Sequence, residues 1–183
     1  KNGQLEQRIH QENSQASSTL ATDGEWLYAL FLNNQRIWCS ALDLEGHEQW
    51  RIEVGGFLSK FGFSTSPEIY QGLILITADH DDGGFIAGVR RSDGHVVWRR
   101  KRPANASYCS PRVVHMGGKD LVIVSGCDHV MAYDPLSGTE LWKTPGTTQA
   151  TVGTVVTAGD LIIASGGYPE ADTVALRADG SVV

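Results

Sequence analysis

Cysteine is scarce in this sequence: Cys39, Cys109 and Cys127 are the whole complement. They are too few and too scattered for a disulfide framework or a zinc site of the CxxC kind, and they leave the redox compartment open. Long apolar runs are missing too, because no stretch approaches the ~20 residues needed to cross a bilayer. Residues Lys1, Asn2, Gly3 and Gln4 carry no apolar signal segment, a weak indication, because the chain opens partway through a structural unit. Positive charge is in deficit. The formal net charge of −6 argues against a nucleic-acid surface, which needs clustered lysine and arginine. The one basic run, Arg99-Arg100-Lys101-Arg102, reads as a solvated loop between repeats, with anion capture as the lesser alternative. Helix-period segments of useful length are absent. So are Gly-x-Ser-x-Gly, His-Glu-x-x-His and a phosphate loop, Gly83-Gly84 and Gly117-Gly118 being turn glycines. Asn105-Ala106-Ser107 matches a glycosylation acceptor but decides nothing without a known source.

What is present is a repeat. Hydrophobic residues make up 41% of the chain, ordinary for a folded globular protein. Three segments share one pattern, in which a glycine is followed four residues later by tryptophan: Gly46 and Trp50, Gly94 and Trp98, Gly138 and Trp142. A fourth copy, Ala175 to Val183 around Gly180, stops just short of its tryptophan position, and a degenerate copy opens the chain with Gln7 in that slot. A period of roughly 40–50 residues built from short strands indicates a propeller. Within the third unit, Arg112–His115 forms a first strand and Met116–Lys119 a turn. The apolar run Leu121–Val124 fits a second strand covered on both faces. Val130–Tyr133, an Asp-Pro-x-Ser-Gly turn and Glu140–Trp142 complete the meander. Gly72–Ile76 and Gly159–Ile163 are the equivalent second strands on either side.

The Ala-x-Asp, glycine and tryptophan elements, with the Ser-Pro openings at Ser66-Pro67 and Ser110-Pro111, resemble the quinoprotein-like (PQQ-like) β-propeller repeat family over essentially the whole chain. The Trp-Asp pair of WD repeats and the double glycine of kelch repeats are missing. The resemblance implies an all-β propeller of four-stranded antiparallel blades, about four of them, at roughly 11–54, 62–102, 108–145 and 150–183. Residues 1–10 then form the outer strand of a preceding blade, and the chain reads as part of a larger propeller. It also implies that Trp50, Trp98 and Trp142 dock between neighbouring blades, where Gly46, Gly94 and Gly138 leave room for the rings, so these aromatics are core.

In such blades the second-to-third and fourth-to-first connections share the face where ligands sit. That face gathers Asp79, His80, Asp81 and Asp82, then Cys127, Asp128 and His129, then Tyr168, Glu170 and Asp172. His80, Asp81, Asp82, Asp128 and His129 are the candidate ligand-face residues. Such side chains can bind metal, but their spacing is irregular and exposed loops are polar anyway, so no metal or cofactor is assigned. The family's dehydrogenases oxidise alcohols or sugars with pyrroloquinoline quinone and Ca²⁺, using a pair of adjacent cysteines that this chain lacks. No catalytic residue is assigned. The expected role is a non-enzymatic scaffold or binding module for protein partners, similar to the BamB-like branch that helps assemble outer-membrane proteins. A dehydrogenase fragment is the alternative. An extracytoplasmic location follows by resemblance, and further blades of a longer chain are expected partners. Finally, pairing about Gly117-Gly118 matches residues whose numbers sum to about 235. This places Cys109 and Cys127 as near cross-strand neighbours within ~7 Å. Alternation leaves open whether the thiols face each other, and two buried free thiols are the commoner outcome.

Overall fold

A computed structural model of the protein describes residues 10–11, 13–14 and 16–183. The outer strand expected over residues 1–10 falls outside these except for His10. Four antiparallel meanders follow one another along the chain. The first pairs β1 (Ala21–Thr22), β2 (Trp26–Asn33), β3 (Arg36–Asp43) and β4 (Glu48–Gly56) in that order. The second pairs β5 (Glu68–Tyr70), β6 (Leu73–Ala78), β7 (Phe85–Arg90) and β8 (Val96–Lys101). The third pairs β9 (Arg112–Met116), β10 (Lys119–Gly126), β11 (His129–Tyr133) and β12 (Glu140–Pro145). The fourth has β13 (Val156–Ala158), β14 (Leu161–Gly166) and β15 (Asp172–Leu176), and a single bridge from Leu176 to Val182 begins a fourth strand. There is no helix among the described residues. The architecture is an all-β propeller.

The sheets stack face to face, which explains their unbroken apolar second strands. Every residue of β6 is buried. Ile74, Ile76 and Ala78 join a core shared with the first blade, containing Tyr28, Leu30, Ile37 and Cys39. The alternate residues Leu73 and Leu75 pack with Val122, Val124 and Met131 of the third blade. Leu121 and Ile123 turn the other way, towards Ile162, Ala164 and Leu176 of the fourth. Period-two alternation thus feeds two cores rather than one core and solvent.

Each outer strand hooks the next blade through its tryptophan. Trp50, Trp98 and Trp142 pair with the small residues Ala41, Gly88 and Ala132, and the ladder bulges just beyond each. The indole N–H of Trp50 donates to the Arg91 carbonyl at 2.9 Å, that of Trp98 to Pro135 at 3.2 Å, and that of Trp142 to Ala178 at 2.8 Å. Each acceptor lies in the outer turn of the following blade, beside that turn's glycine. A Cβ on Gly94 would sit 2.8 Å from the Trp50 ring, one on Gly180 2.8 Å from Trp142, and one on Gly138 would collide with Trp98. Gly46 adopts the same left-handed conformation, φ +87°, with no ring over it among the described residues. Trp98 is 6% exposed, whereas Trp50 and Trp142 are half-buried.

Turn aspartates give the repeat its other signature. Asp43 accepts the His47 N–H, Asp93 the His95 N–H, Asp134 the Leu136 and Ser137 N–H groups, and Asp179 the Ser181 N–H, at 2.7–3.1 Å. These bonds close the turn around each glycine and hold the Asp43 and Asp93 carboxyls below the ordinary range.

Two expectations need correction. The basic run is not a solvated loop: Arg99, Arg100 and Lys101 belong to β8, and Arg102 is buried. The Arg99 guanidinium lies 4.1 Å from the Phe85 ring centre of its own blade, whereas Arg100 reaches the next blade and donates to the Ser137 and Gly138 carbonyls. In the third blade the register does sum to 235, Lys119 facing Met116, but that ladder ends at Arg112 and Ile123. Cys127 and Asp128 are the tip of the β10–β11 hairpin, both at positive φ, between the paired residues Gly126 and His129. Cys109 and Cys127 therefore lie outside the β9–β10 pairing. Both are buried free thiols, donating to the Ser110 and Asn105 carbonyls respectively.

Candidate functional site

Strand order places the β2–β3, β6–β7, β10–β11 and β14–β15 turns, with the connections between blades, on one upper face. The candidate residues divide sharply there. Asp81, Asp82 and Asp128 are exposed, as are Tyr168, Glu170 and Asp172. His129 is half-buried, its Nδ1–H donating to the Cys127 carbonyl at 2.7 Å. His80 points inward: it is buried, its ring 5.4 Å from that of Phe57, and its Nδ1 accepts the Asp82 N–H at 3.3 Å. Burial pushes the His80 imidazole below its ordinary value, although Asp82, Asp79 and Asp81 pull the other way. No three of the His, Cys, Asp and Glu side chains among the described residues converge on one point.

The strongest electrostatic feature of this face is one the sequence hid. Asp79, just beyond β6, and Arg102, just beyond β8, form a forked ion pair with Nε–Oδ1 at 2.7 Å and Nη2–Oδ2 at 2.9 Å. Their side chains are 2% and 0% exposed. The remaining Nη1 of Arg102 reaches into the third blade, donating to Tyr133 Oη at 2.9 Å and to Met131 Sδ at 3.1 Å. Burial alone would lower the guanidinium; the Asp79 charge and its hydrogen bonds outweigh it and hold Arg102 fully ionised. Asp79 also pairs through its backbone with Ser107, so carboxylate and peptide together fasten the second blade to the connection into the third. A Cβ on Gly84 would strike Asp79.

Two other features of this face carry no period and escape sequence reading. Asn33 Oδ1, at the end of β2, is buried without a hydrogen-bond partner among the described residues. The β4–β5 loop is aromatic, with Phe57 and Phe63 buried and Leu58 and Phe61 exposed.

Comparison with known proteins agrees with this geometry. BamB from Moraxella catarrhalis superimposes with a TM-score of 0.68 at 15% identity, covering 91% of this chain and 51% of its own. A europium-containing methanol dehydrogenase gives 0.66 at 17% identity, covering 96% and 43%. The quinohemoprotein alcohol dehydrogenase from Comamonas testosteroni gives 0.64 at 13%, covering 92% and 34%. At these identities the likeness is one of fold, and the chain spans about half or less of each protein. No protein of curated function matches the sequence. The family model described as outer membrane protein assembly factor BamB matches residues 6–182, and the chain belongs to that PQQ-type repeat family.

Proposed function

We propose that this chain is a non-enzymatic propeller segment whose upper face holds protein partners. The observation that carries this reading is the engagement of the face's buried reactive groups in packing and in joining blades. Asp79 is neutralised by Arg102 within a buried network, His80 is packed under Phe57, and Cys109 and Cys127 are buried thiols bonded to carbonyls. In the dehydrogenases this repeat resembles, the quinone and its Ca²⁺ go with a vicinal cysteine pair, whereas this chain has no adjacent cysteines and no three of its His, Cys, Asp and Glu side chains converge among the described residues. The residues described here do not fit that group.

The family's description as an outer-membrane assembly factor supports a location outside the cytoplasm. Further blades are the natural occupants of the two end faces. Gly46 offers the same seat that Gly94, Gly138 and Gly180 give to tryptophans. The fourth sheet turns an exposed Val156 and half-buried Ile163 away from the third.

The test adds pyrroloquinoline quinone and Ca²⁺ to the protein and follows alcohol- or sugar-dependent reduction of an electron-accepting dye. Dye reduction at the rate of the protein-free control is expected. Substrate-dependent turnover would overturn the reading in favour of a dehydrogenase fragment.

A further inference from the structure

Three of the chain's five phenylalanines fall in the loop between β4 and β5. Phe57 and Phe63 are buried and meet edge to face at 5.3 Å, with Phe57 also against His80. The Phe57 N–H donates to the Gln35 carbonyl at 2.9 Å, tying the loop to the β2–β3 turn. Both ends are therefore riveted to the core, and the segment between them is displayed rather than folded inward. That segment presents Leu58 at 49% and Phe61 at 42% exposure. Phe61 stands edge-on to Tyr108 at 6.3 Å, and the Tyr108 hydroxyl is tied to Ser59 Oγ at 2.9 Å.

Lys60 Nζ lies 5.3 Å from the Phe61 ring centre and the His10 ring packs on Phe61 at 4.7 Å, but two carboxylates against the one lysine leave the rim of this apolar seat net acidic. The Asp81 N–H donates to the Leu58 carbonyl at 3.1 Å, which fixes Asp81 and its neighbour Asp82 beside the seat. Both are exposed, and no ion pair among the described residues uses either.

We propose that Leu58, Phe61 and Tyr108, rimmed by Asp81 and Asp82, form a docking site for a protein segment that carries a large apolar side chain beside lysine or arginine. This rests on the binding-module reading above and supplies the chemistry of its partner. The apolar seat takes the anchor and the unpaired carboxylates take the cation. Those carboxylates also repel phosphate, so a nucleic acid or an anionic membrane does not fit. Because the loop is held at both ends before binding, little ordering is required on association, which favours affinity.

The test titrates two fluorescent synthetic peptides into the full chain and reads anisotropy. The peptides share a tryptophan-leucine pair and differ only in flanking lysines or glutamates. The lysine peptide is expected to bind at least about tenfold more tightly than the glutamate peptide, and to weaken as salt is raised. Phe61→Ala should weaken it about tenfold, the loss typical of an interface anchor. Asp81→Lys should erase the preference between the peptides. Both positions are exposed, and circular dichroism should show that each variant stays folded. Equal binding of the two peptides, binding unchanged by both substitutions, or no binding by either peptide would overturn the site. None of these touches the wider reading, which is tested separately by quinone-dependent turnover.

Discussion

Replacing Trp98 with alanine removes the most deeply seated of the three blade hooks. Its ring lies over Gly138 in the third blade and against Gly88 on the neighbouring strand of its own blade, neither of which has a side chain that could move into the gap. The residue is 6% exposed and packs with Leu75, Val122 and Tyr133. A cavity of that kind, left by a tryptophan in a core that cannot collapse, costs about 3–5 kcal/mol. The Pro135 carbonyl also loses its donor, adding about 1 kcal/mol if water does not replace it. Trp50 and Trp142 are half-buried, so the same change there should cost less. Equilibrium urea unfolding followed by circular dichroism reads all three. A loss below about 1 kcal/mol for Trp98→Ala, within the range of ordinary surface substitutions, would refute the blade-hook account.

Gly138→Ala tests the other side of that contact. Alanine at φ +68° costs about 1–2 kcal/mol for its left-handed backbone alone. Gly118 has φ +74° but open space around it, so Gly118→Ala measures the backbone share. Gly138→Ala should be the worse of the two, and equal losses would show that the Trp98 ring yields freely. Alkaline pH should destabilise the fold. Burial pushes the Cys39 and Cys127 thiols up to about 12 from an ordinary 9.0. The unfolded chain then loses those protons first, so stability is complete below about pH 9 and declines above it. Iodoacetamide near neutral pH should label none of the three cysteines in the native protein and all of them in denaturant. Rapid native labelling would show that a thiol is accessible.

The propeller was legible because its determinants are local and periodic. A glycine four residues before a tryptophan marks a turn and the ring leaving it, and Asp43, Asp93 and Asp134 announce turns by the N–H groups they cap. The junction between Asp79 and Arg102 was not legible. Its partners are far apart in sequence, and Arg102 ends a run of basic residues that looks solvated until β8 turns it inward. Cys127 misled because a cysteine after a strand of valines reads as one more strand residue, whereas it occupies a left-handed turn position. His80 was grouped with exposed loop residues, because the sequence does not reveal that the Phe57 ring returns from another blade to cover it. Leu58 and Phe61 carry no period at all, and only the burial of Phe57 and Phe63 on either side distinguishes them from core.

The central claim is that the buried carboxylate of this face, Asp79, serves the fold rather than chemistry, and Asp79→Asn tests it most directly. If Asp79 exists to balance a buried guanidinium, its neutralisation leaves Arg102 charged, desolvated and only partly satisfied by Tyr133 and Met131. Urea unfolding should then show a loss of about 3–5 kcal/mol. A catalytic carboxylate behaves in the opposite way, because active-site groups are held at the expense of stability. Unchanged or increased stability in Asp79→Asn would contradict the account.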